Sequence, residues 1–421
     1  MRILLAIHNA YTDSTSGAAH SMRILMEWLA EGGHECRVLG TGRFDARPPD
    51  SIDAHLAELS VPLRRSPPAK SFVRSVRKPA NVVVGRPTVD FTLNDVPVTM
   101  LLTKAHTGSV AERIEGEQFL FLFDDLLRQF APDVLVTYGG HSVVQESMRR
   151  ARERGVLCVF SLRNRGYEDV NLYRYVDHVF TTSPYLTEVY RQKIGLKSTG
   201  IESPIEWAEV EAPDDLRKFV TFVNPSLHKG AMLFARLADM LGQSRPDIPL
   251  LIVQSATGAS GLNAIAGLDF KKYPQIMAAP ATTQPSTYFA LTKILLVPSA
   301  FNEPFGRVAA EALINGIPPL VSDRGALPET VRGAGRVLPL PAWLDETSQV
   351  LPSIAEAQPW FDAVCELWDD RDAYDRASRR AREAARWYSE DVMRQRYLAY
   401  FESLRKGGQL FESAGSPPES R

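Results

Sequence analysis

The chain has 421 residues, too many for a single core, and about 150 residues per domain predicts two or three. Its 44% hydrophobic and 23% charged content is ordinary for a soluble globular protein, and a formal net charge of −2 supplies no global positive field, so nucleic acid is not an expected partner. Three widely spaced cysteines (Cys36, Cys158, Cys365) without a CxxC pair argue against a disulfide framework or zinc site and for a reducing cytoplasm. The start carries one basic residue and a short apolar run, unlike a secretory leader. No stretch approaches the roughly 20 apolar residues needed to span a bilayer.

In chain order, Arg2 to His8 is an apolar run without alternation, which predicts a strand buried on both faces. A polar loop follows, then a helix over Ala18–Glu31 with apolar residues at Met22, Leu25, Met26 and Leu29, stopped by Gly32-Gly33. Cys36–Leu39 is a second strand, completing the opening of a doubly wound domain. Val61 to Arg86 is proline-rich and carries seven Lys or Arg residues. Thr88 to Thr103 alternates and predicts a hairpin turning at Asn94-Asp95. Glu112–Phe130 is an amphipathic helix, followed by strands at Asp133–Thr137, Val156–Ser161 and His178–Thr182 with helices at Ser142–Arg154 and Pro184–Ile194.

Glu202 to Asp215 is polar, has two prolines and no period, and reads as the domain boundary. A second series follows: strands at Val220–Val223, Leu250–Gln254, Ile294–Val297 and Pro319–Ser322, with helices at Lys229–Leu241 and Phe305–Asn315. The tail predicts helices at Trp360–Trp368, Ala373–Trp387 and Glu390–Leu404, and a frayed end. The expected fold class is α/β: two Rossmann-like doubly wound domains facing each other across a cleft.

The segment from Val297 to Pro318 carries the most chemistry. A buried strand ends at Pro298, a loop holds Asn302, Glu303 and Pro304, and a helix opens near Phe305-Gly306. A helix start offers unpaired N–H groups to phosphate oxygens, and Gly306 lets a ligand come close to the backbone. Glu303 sits where a carboxylate reaches sugar hydroxyls. Glu311, about six residues into the helix and roughly 9 Å along it, suits a ribose.

The spacing Glu303-x7-Glu311, with Phe305-Gly306 between, Asn315-Gly316-Ile317-Pro318 after and Ser322 to Glu329 following, resembles the retaining GT-B glycosyltransferases of family four, the glycosyl transferases of group 1. The resemblance implies that Glu303 contacts the donor hexose, that main-chain amides beyond it (Phe305, Gly306, Arg307) hold the diphosphate, and that Glu311 binds ribose. It also implies a C-terminal helix crossing back to the first domain. In Phe222 to Gly230, Lys229 matches the family lysine whose ammonium is implied to neutralise the donor diphosphate. The family's arginine five residues earlier is here Asn224, which shifts its work to Arg307 or Arg324 or leaves the clamp weaker. Ser14 to Ala19, with the single Gly17, resembles the family's first glycine-rich loop and reads equally as a plain turn.

On the acceptor side, strands end at Asp133 to His141 and Phe160 to Tyr167, where relatives place a histidine. Here Tyr138 and Arg163 occupy those places, with His141 nearby and His106 ending another candidate strand. Arg163 is expected to take part in catalysis with Glu303 and Lys229. Tyr138, His141 and His106 are acceptor-side candidates that read first as structural. The basic segment Arg64–Arg86 reads first as a solvated loop and alternatively as a peripheral contact to an anionic membrane, at about 1 kcal/mol per cation.

The expected activity is metal-independent transfer, with retention, of a hexose or N-acetylhexosamine from a nucleotide-diphosphate sugar (UDP- or GDP-linked) to an acceptor hydroxyl, without a cofactor. The expected acceptors are a surface polysaccharide, a glycolipid or a natural product. The expected domains are 1–205 with helix 389–407 for the acceptor, 216–388 for the donor, and a flexible 408–421. The expected location is the cytoplasm, with membrane association at the inner face as the alternative. Two other readings stand beside it: a nucleotide-sugar 2-epimerase or phosphorylase on the same fold, and a non-catalytic sugar-nucleotide binder.

Overall fold

The computed structural model describes residues 1–14, 16–45, 51–68, 74–75, 82–83, 85–104, 113–254, 272–405 and 410–411. Contacts divide the chain into two units, Met1–Ile201 with Arg394–Arg421, and Glu202–Met393.

The first unit runs β1 (Arg2–Ala6), α1 (Gly17–Glu31), β2 (Glu35–Thr41), α2 (Ile52–Glu58), β3 (Arg64–Ser66), β4 (Arg74–Ser75), β5 (Val82–Val83), β6 (Thr88–Leu93), β7 (Val96–Leu101), α3 (Arg113–Gln129), β8 (Val134–Thr137), α4 (Ser142–Glu153), β9 (Leu157–Leu162), β10 (His178–Thr181), α5 (Pro184–Ile194) and β11 (Thr199–Gly200). Nine strands form one sheet in the order β11-β10-β9-β8-β1-β2-β7-β6-β3. Pairing is parallel from β11 to β7 and antiparallel at β6 and β3. The β6–β7 hairpin turns at Asn94 and Asp95, whose φ of 46° and 62° are those of a primed two-residue turn. Strand order reverses between β1 and β8, the switch point at which open α/β sheets bind ligands beyond the strand C-termini. Phe119, Phe123 and Leu127 of α3 and Val144 and Met148 of α4 bury against Leu4, Leu135 and Phe160, each contributing roughly 1.5–3 kcal/mol.

The second unit contains α6 (Trp207–Val210), β12 (Phe219–Val223), α7 (Ala231–Ser244), β13 (Leu250–Val253), β14 (Ile276–Ala279), α8 (Ser286–Phe289), β15 (Thr292–Val297), α9 (Arg307–Ile314), β16 (Pro319–Ser322), α10 (Leu327–Thr330), β17 (Arg336–Leu338), α11 (Ile354–Asp369) and α12 (Arg371–Ala385). Its sheet is wholly parallel, in the order β14-β13-β12-β15-β16-β17. Counted along the chain this is the doubly wound order 3-2-1-4-5-6, with its switch point between β12 and β15. Trp360 of α11, fully buried, packs with Leu233 and Leu237 of α7 on one face, while Phe289, Ala309 and Leu327 fill the other.

Three expectations are corrected. The boundary read over Glu202–Asp215 falls at its first residue, so residues 202–205 belong to the second unit, and the segment packs within it. Glu202 accepts a bond from Trp387 Nε1 (3.0 Å), Trp207 donates to Tyr388 O and Glu390, and Ile205 and Val210 are buried against Tyr388. Helix α11 begins at Ile354, not Trp360, because Ser353 and Glu356 form a capping box that outweighs Pro359 inside the helix. The tail is not wholly frayed: Lys197 N–H donates to Leu410 O (2.8 Å) and Phe411 bridges Leu196, while 408–409 and 412–421 lie outside the described residues.

The last helix, α13 (Glu390–Ser403), groups with the first unit from Arg394 onward. Tyr397 packs on Trp28 and Phe180, and Tyr400 also on Phe180. Among the described residues no helix is long and apolar enough to cross a membrane.

Candidate functional site

In the second unit the chain leaves β12 through Asn224, whose φ of 61° makes it a turn residue. A 3-10 turn, Leu227–Lys229, follows and ends at Gly230, so Lys229 precedes α7 where the sequence placed it inside the helix. A Cβ on Gly230 would lie 1.8 Å from the Pro298 carbonyl oxygen, and Phe301 N–H donates to His228 O (3.0 Å). The loops leaving β12 and β15 are thus in backbone contact.

This contact brings Lys229 Nζ to 2.6 Å from Glu303 Oε1. Ser299 Oγ donates to the same oxygen, also at 2.6 Å. Glu303 is 6% exposed and Ser299 0%, while the Lys229 side chain stays 29% exposed. From the next strand exit, Ala326 N–H donates to Glu303 O (2.8 Å), and Gly325, at φ 63°, lies against the Glu303 backbone. Three consecutive strand exits therefore hold one carboxylate at the switch point. Beside it, burial and then Lys229 push the His228 imidazole down, with Glu303 opposing.

Helix α9 starts at Arg307 with Gly306, φ 86°, as its cap. Glu311 is therefore four residues along, about 6 Å rather than 9 Å. Gly306 is required by its backbone angle and by Leu327, whose side chain would lie 2.5 Å from a Cβ there. Phe305 turns its ring inward against Tyr388 (5.8 Å), so its side chain closes the core. Arg307 Nε donates to Glu311 Oε1 (2.8 Å) and its Nη1 to Pro204 O (3.4 Å), committing this guanidinium to the protein. Arg324 likewise donates to Pro341 O (3.3 Å). Glu311 is 4% exposed, and burial raises its carboxyl above the usual range although Arg307 opposes. Asn315 bonds Ala212 N–H, Val210 O and Glu311 O, so the Asn-Gly-Ile-Pro motif here ends α9 and anchors α6.

In the first unit, the exits of β1 and β8 meet at the other switch point. His8 and His141 stack with centroids 3.9 Å apart and planes 9° from parallel. His141 caps α4, its Nδ1 accepting from Val143 N–H (3.2 Å). Burial, His141 and Arg43 together push the His8 imidazole down to about 3; His141 is lowered by burial and Arg43. Tyr138 follows β8, its phenol raised by burial and Asp45. These residues, with Asn9, Arg43 and Asp45, line a cavity of about 500 Å³. Arg163 follows β9, donates to Ser161 Oγ (3.4 Å) and lies close enough to Tyr138 to influence it. Gly17 is the first residue of α1, with open space where a Cβ would stand. His106 lies outside the described residues, as do Lys70, Arg77 and Lys78 of the basic segment. Of its remaining cations, Arg64 pairs with Asp90 and Arg86 with Glu115.

Sequence reasoning missed Ser299, His8, Asn9, Arg43 and Asp45. His8 and Asn9 had a usable signal, since they directly follow the first strand of a doubly wound series.

Residues 205–343 match the family model described as glycosyl transferases group 1. Over 150 residues the chain is 29% identical to D-inositol 3-phosphate glycosyltransferase of Paenarthrobacter aurescens (strain TC1), covering 34% of this chain. It spans 33% of that curated relative's length. Among solved structures, HepE of Anabaena in complex with UDP-glucose aligns over 96% of this chain and 100% of that one, with a TM-score of 0.64 and 14% identity. The catalytic domain of starch synthase IV from Arabidopsis thaliana, bound to ADP and acarbose, aligns over 94% and 99%, with a TM-score of 0.63 and 13% identity. The chain therefore has the GT-B fold, and its residues 205–343 are similar to the glycosyl transferases of group 1.

Proposed function

We propose that this protein transfers a hexose or N-acetylhexosamine, with retention, from a UDP- or GDP-linked donor to an acceptor hydroxyl. The observation that carries the reading is the Lys229–Glu303–Ser299 cluster at the switch point of a 3-2-1-4-5-6 sheet. Lys229 is the cation next to the position a diphosphate would take, and its side chain is accessible enough to turn from Glu303 to phosphate oxygens. Positive charge aimed at the departing diphosphate stabilises the transition state, typically by about 3–4 kcal/mol per group. Glu303, held from three strand exits, orients the hexose hydroxyls. Glu311 takes the ribose, and the main-chain N–H groups at Gly306 and Arg307 face the phosphates. Glycosyl transfer breaks the bond from the anomeric carbon to the diphosphate and forms one to the acceptor oxygen. The acceptor proton leaves with the diphosphate.

The test has two stages. UDP, GDP and ADP are screened for thermal stabilisation, since the ligand that binds the folded state raises the midpoint. The corresponding nucleotide sugar is then given to wild type, Lys229→Ala and Glu303→Gln. Nucleotide release should fall at least 100-fold in both variants, and the product anomer read by NMR should match the donor. Lack of stabilisation by all three nucleotides, or inversion at the anomeric carbon, overturns the corresponding half of the proposal.

A further inference from the structure

We infer that the cavity at the first unit's switch point binds an uncharged polyhydroxyl group, a sugar ring, as acceptor, and discriminates against phosphorylated acceptors. This rests on the proposed glycosyl transfer and adds the chemical class of the second substrate.

The cavity, about 500 Å³, has room for a monosaccharide and is built from three strand exits of a single sheet. Its lining includes His8 Nε2 and Tyr138 Oη, buried polar atoms without a hydrogen-bond partner among the described residues. His8 is only 9% exposed. Each such atom is costly to bury unless something supplies a partner, and hydroxyl groups do so in either direction, donating to an imidazole nitrogen or accepting from a phenol. At the rim, Asn9 Nδ2 donates to the exposed Asp45 carboxylate, and Asp45 N–H donates to the buried Asp13 (2.8 Å). A carboxylate beside an amide and an imidazole is a set that grips vicinal hydroxyls.

The charges decide between a neutral and an anionic ligand. The imidazoles stack nearly parallel at 3.9 Å, an arrangement that two imidazolium ions would resist, and burial pushes the pKa of both downward. Arg43, 3% exposed, is held 3.6 Å from Glu115, which is 2% exposed and also meets Arg86 at 3.5 Å. Arg43 and Arg86 are thus drawn to the buried Glu115 rather than offered to a phosphate. Asp45, the exposed acid, would repel one.

The test uses the full chain. Binding of methyl glucoside and of glucose 6-phosphate is followed by NMR of the His8 and His141 imidazoles, without donor. Transfer from the nucleotide sugar is then measured with each acceptor, in wild type and Asp45→Asn. We expect methyl glucoside to shift both imidazole signals and glucose 6-phosphate to bind at least tenfold more weakly. We also expect Asp45→Asn to raise the KM for methyl glucoside at least fivefold, whereas a purely structural role would alter stability and leave the acceptor KM in place. Tighter binding of the phosphate ester, or imidazole signals unmoved by either sugar, overturns the inference. Imidazole shifts in a protein that binds no nucleotide would defeat the transferase reading alone.

Discussion

Replacing Gly325 by Ala tests whether the loop after β16 positions Glu303. Two costs are expected. Gly325 sits at φ 63°, where an L residue pays roughly 1–2 kcal/mol. Its new Cβ would also lie 2.3 Å from Glu303 N and 2.4 Å from Glu303 O, about 1 Å inside ordinary contact. Both atoms are backbone, so no side-chain rotation relieves the clash; the loop must move, at about 1–3 kcal/mol. Gly333 provides the control: its φ of 71° is similar, but nothing stands within 4 Å of its Cβ position. Gly333→Ala pays only the first cost. Urea unfolding should therefore show Gly325→Ala less stable than Gly333→Ala by about 1–3 kcal/mol, and the thermal midpoint should differ by about 2–4 °C per kcal/mol for a domain of this size. Because the moved atoms belong to Glu303, only Gly325→Ala should weaken nucleotide-sugar binding in titration calorimetry. Equal stability and equal donor affinity in the two variants would refute the positioning argument.

Three further outcomes follow from the geometry. Ser299→Ala removes a buried hydroxyl from a carboxylate and should cost about 1.5–3 kcal/mol of stability by urea titration, with a matching loss of donor affinity; an unchanged variant would place Glu303 under the control of Lys229 alone. His8 has a folded pKa of about 3, below its unfolded value near 6.5, so the unfolded chain takes up the proton first and stability falls as pH drops through that window. Between pH 6.5 and 4.5 the wild type should lose about 2–3 kcal/mol more than His8→Phe, which keeps a stacked ring, and parallel curves would show that His8 protonates freely in the fold. Glu311 has the opposite sign. Its pKa is raised by burial, so ionisation costs stability as pH rises above the usual carboxylate range; Glu311→Gln should melt no lower than wild type at pH 7 yet bind the donor at least tenfold more weakly.

The second unit was the more legible half because its site is local in sequence. Glu303, Gly306 and Glu311 lie within one strand–loop–helix unit, and Lys229 follows a short strand of aromatic and β-branched residues. The strands missed were β14 and β17, at the two edges of that sheet. Each is three or four residues long and partly exposed, so burial imposes little pattern on its sequence. The first unit's cavity was hidden for a different reason. His8, Asp45 and His141 come from three distant segments, and no spacing rule connects them. Only the strand order, which sets β1 beside β8, puts His8 against His141. Phe305 and Asn315 show the reverse error, since residues inside a functional motif turned out to close the core.

The two glutamates of that motif are held in opposite ways, and the difference bears on mechanism. Glu303 receives a cation and a hydroxyl on one oxygen, both at 2.6 Å, so its charge is supported before any ligand arrives. A group that orients a sugar through the transition state gains from such preorganisation, because no free energy is then spent arranging it during the reaction. Glu311 is more deeply buried and pairs with Arg307, which does not offset the burial. Under the proposed function the two ribose hydroxyls become its further partners, and their donated hydrogen bonds favour the ionised carboxylate. Donor binding should then lower the Glu311 pKa and release a proton wherever the free carboxyl is partly protonated. Calorimetry in buffers of different ionisation enthalpy reads that proton directly. A binding enthalpy independent of buffer, from pH 5 to 7, would mean that Glu311 does not meet the ligand.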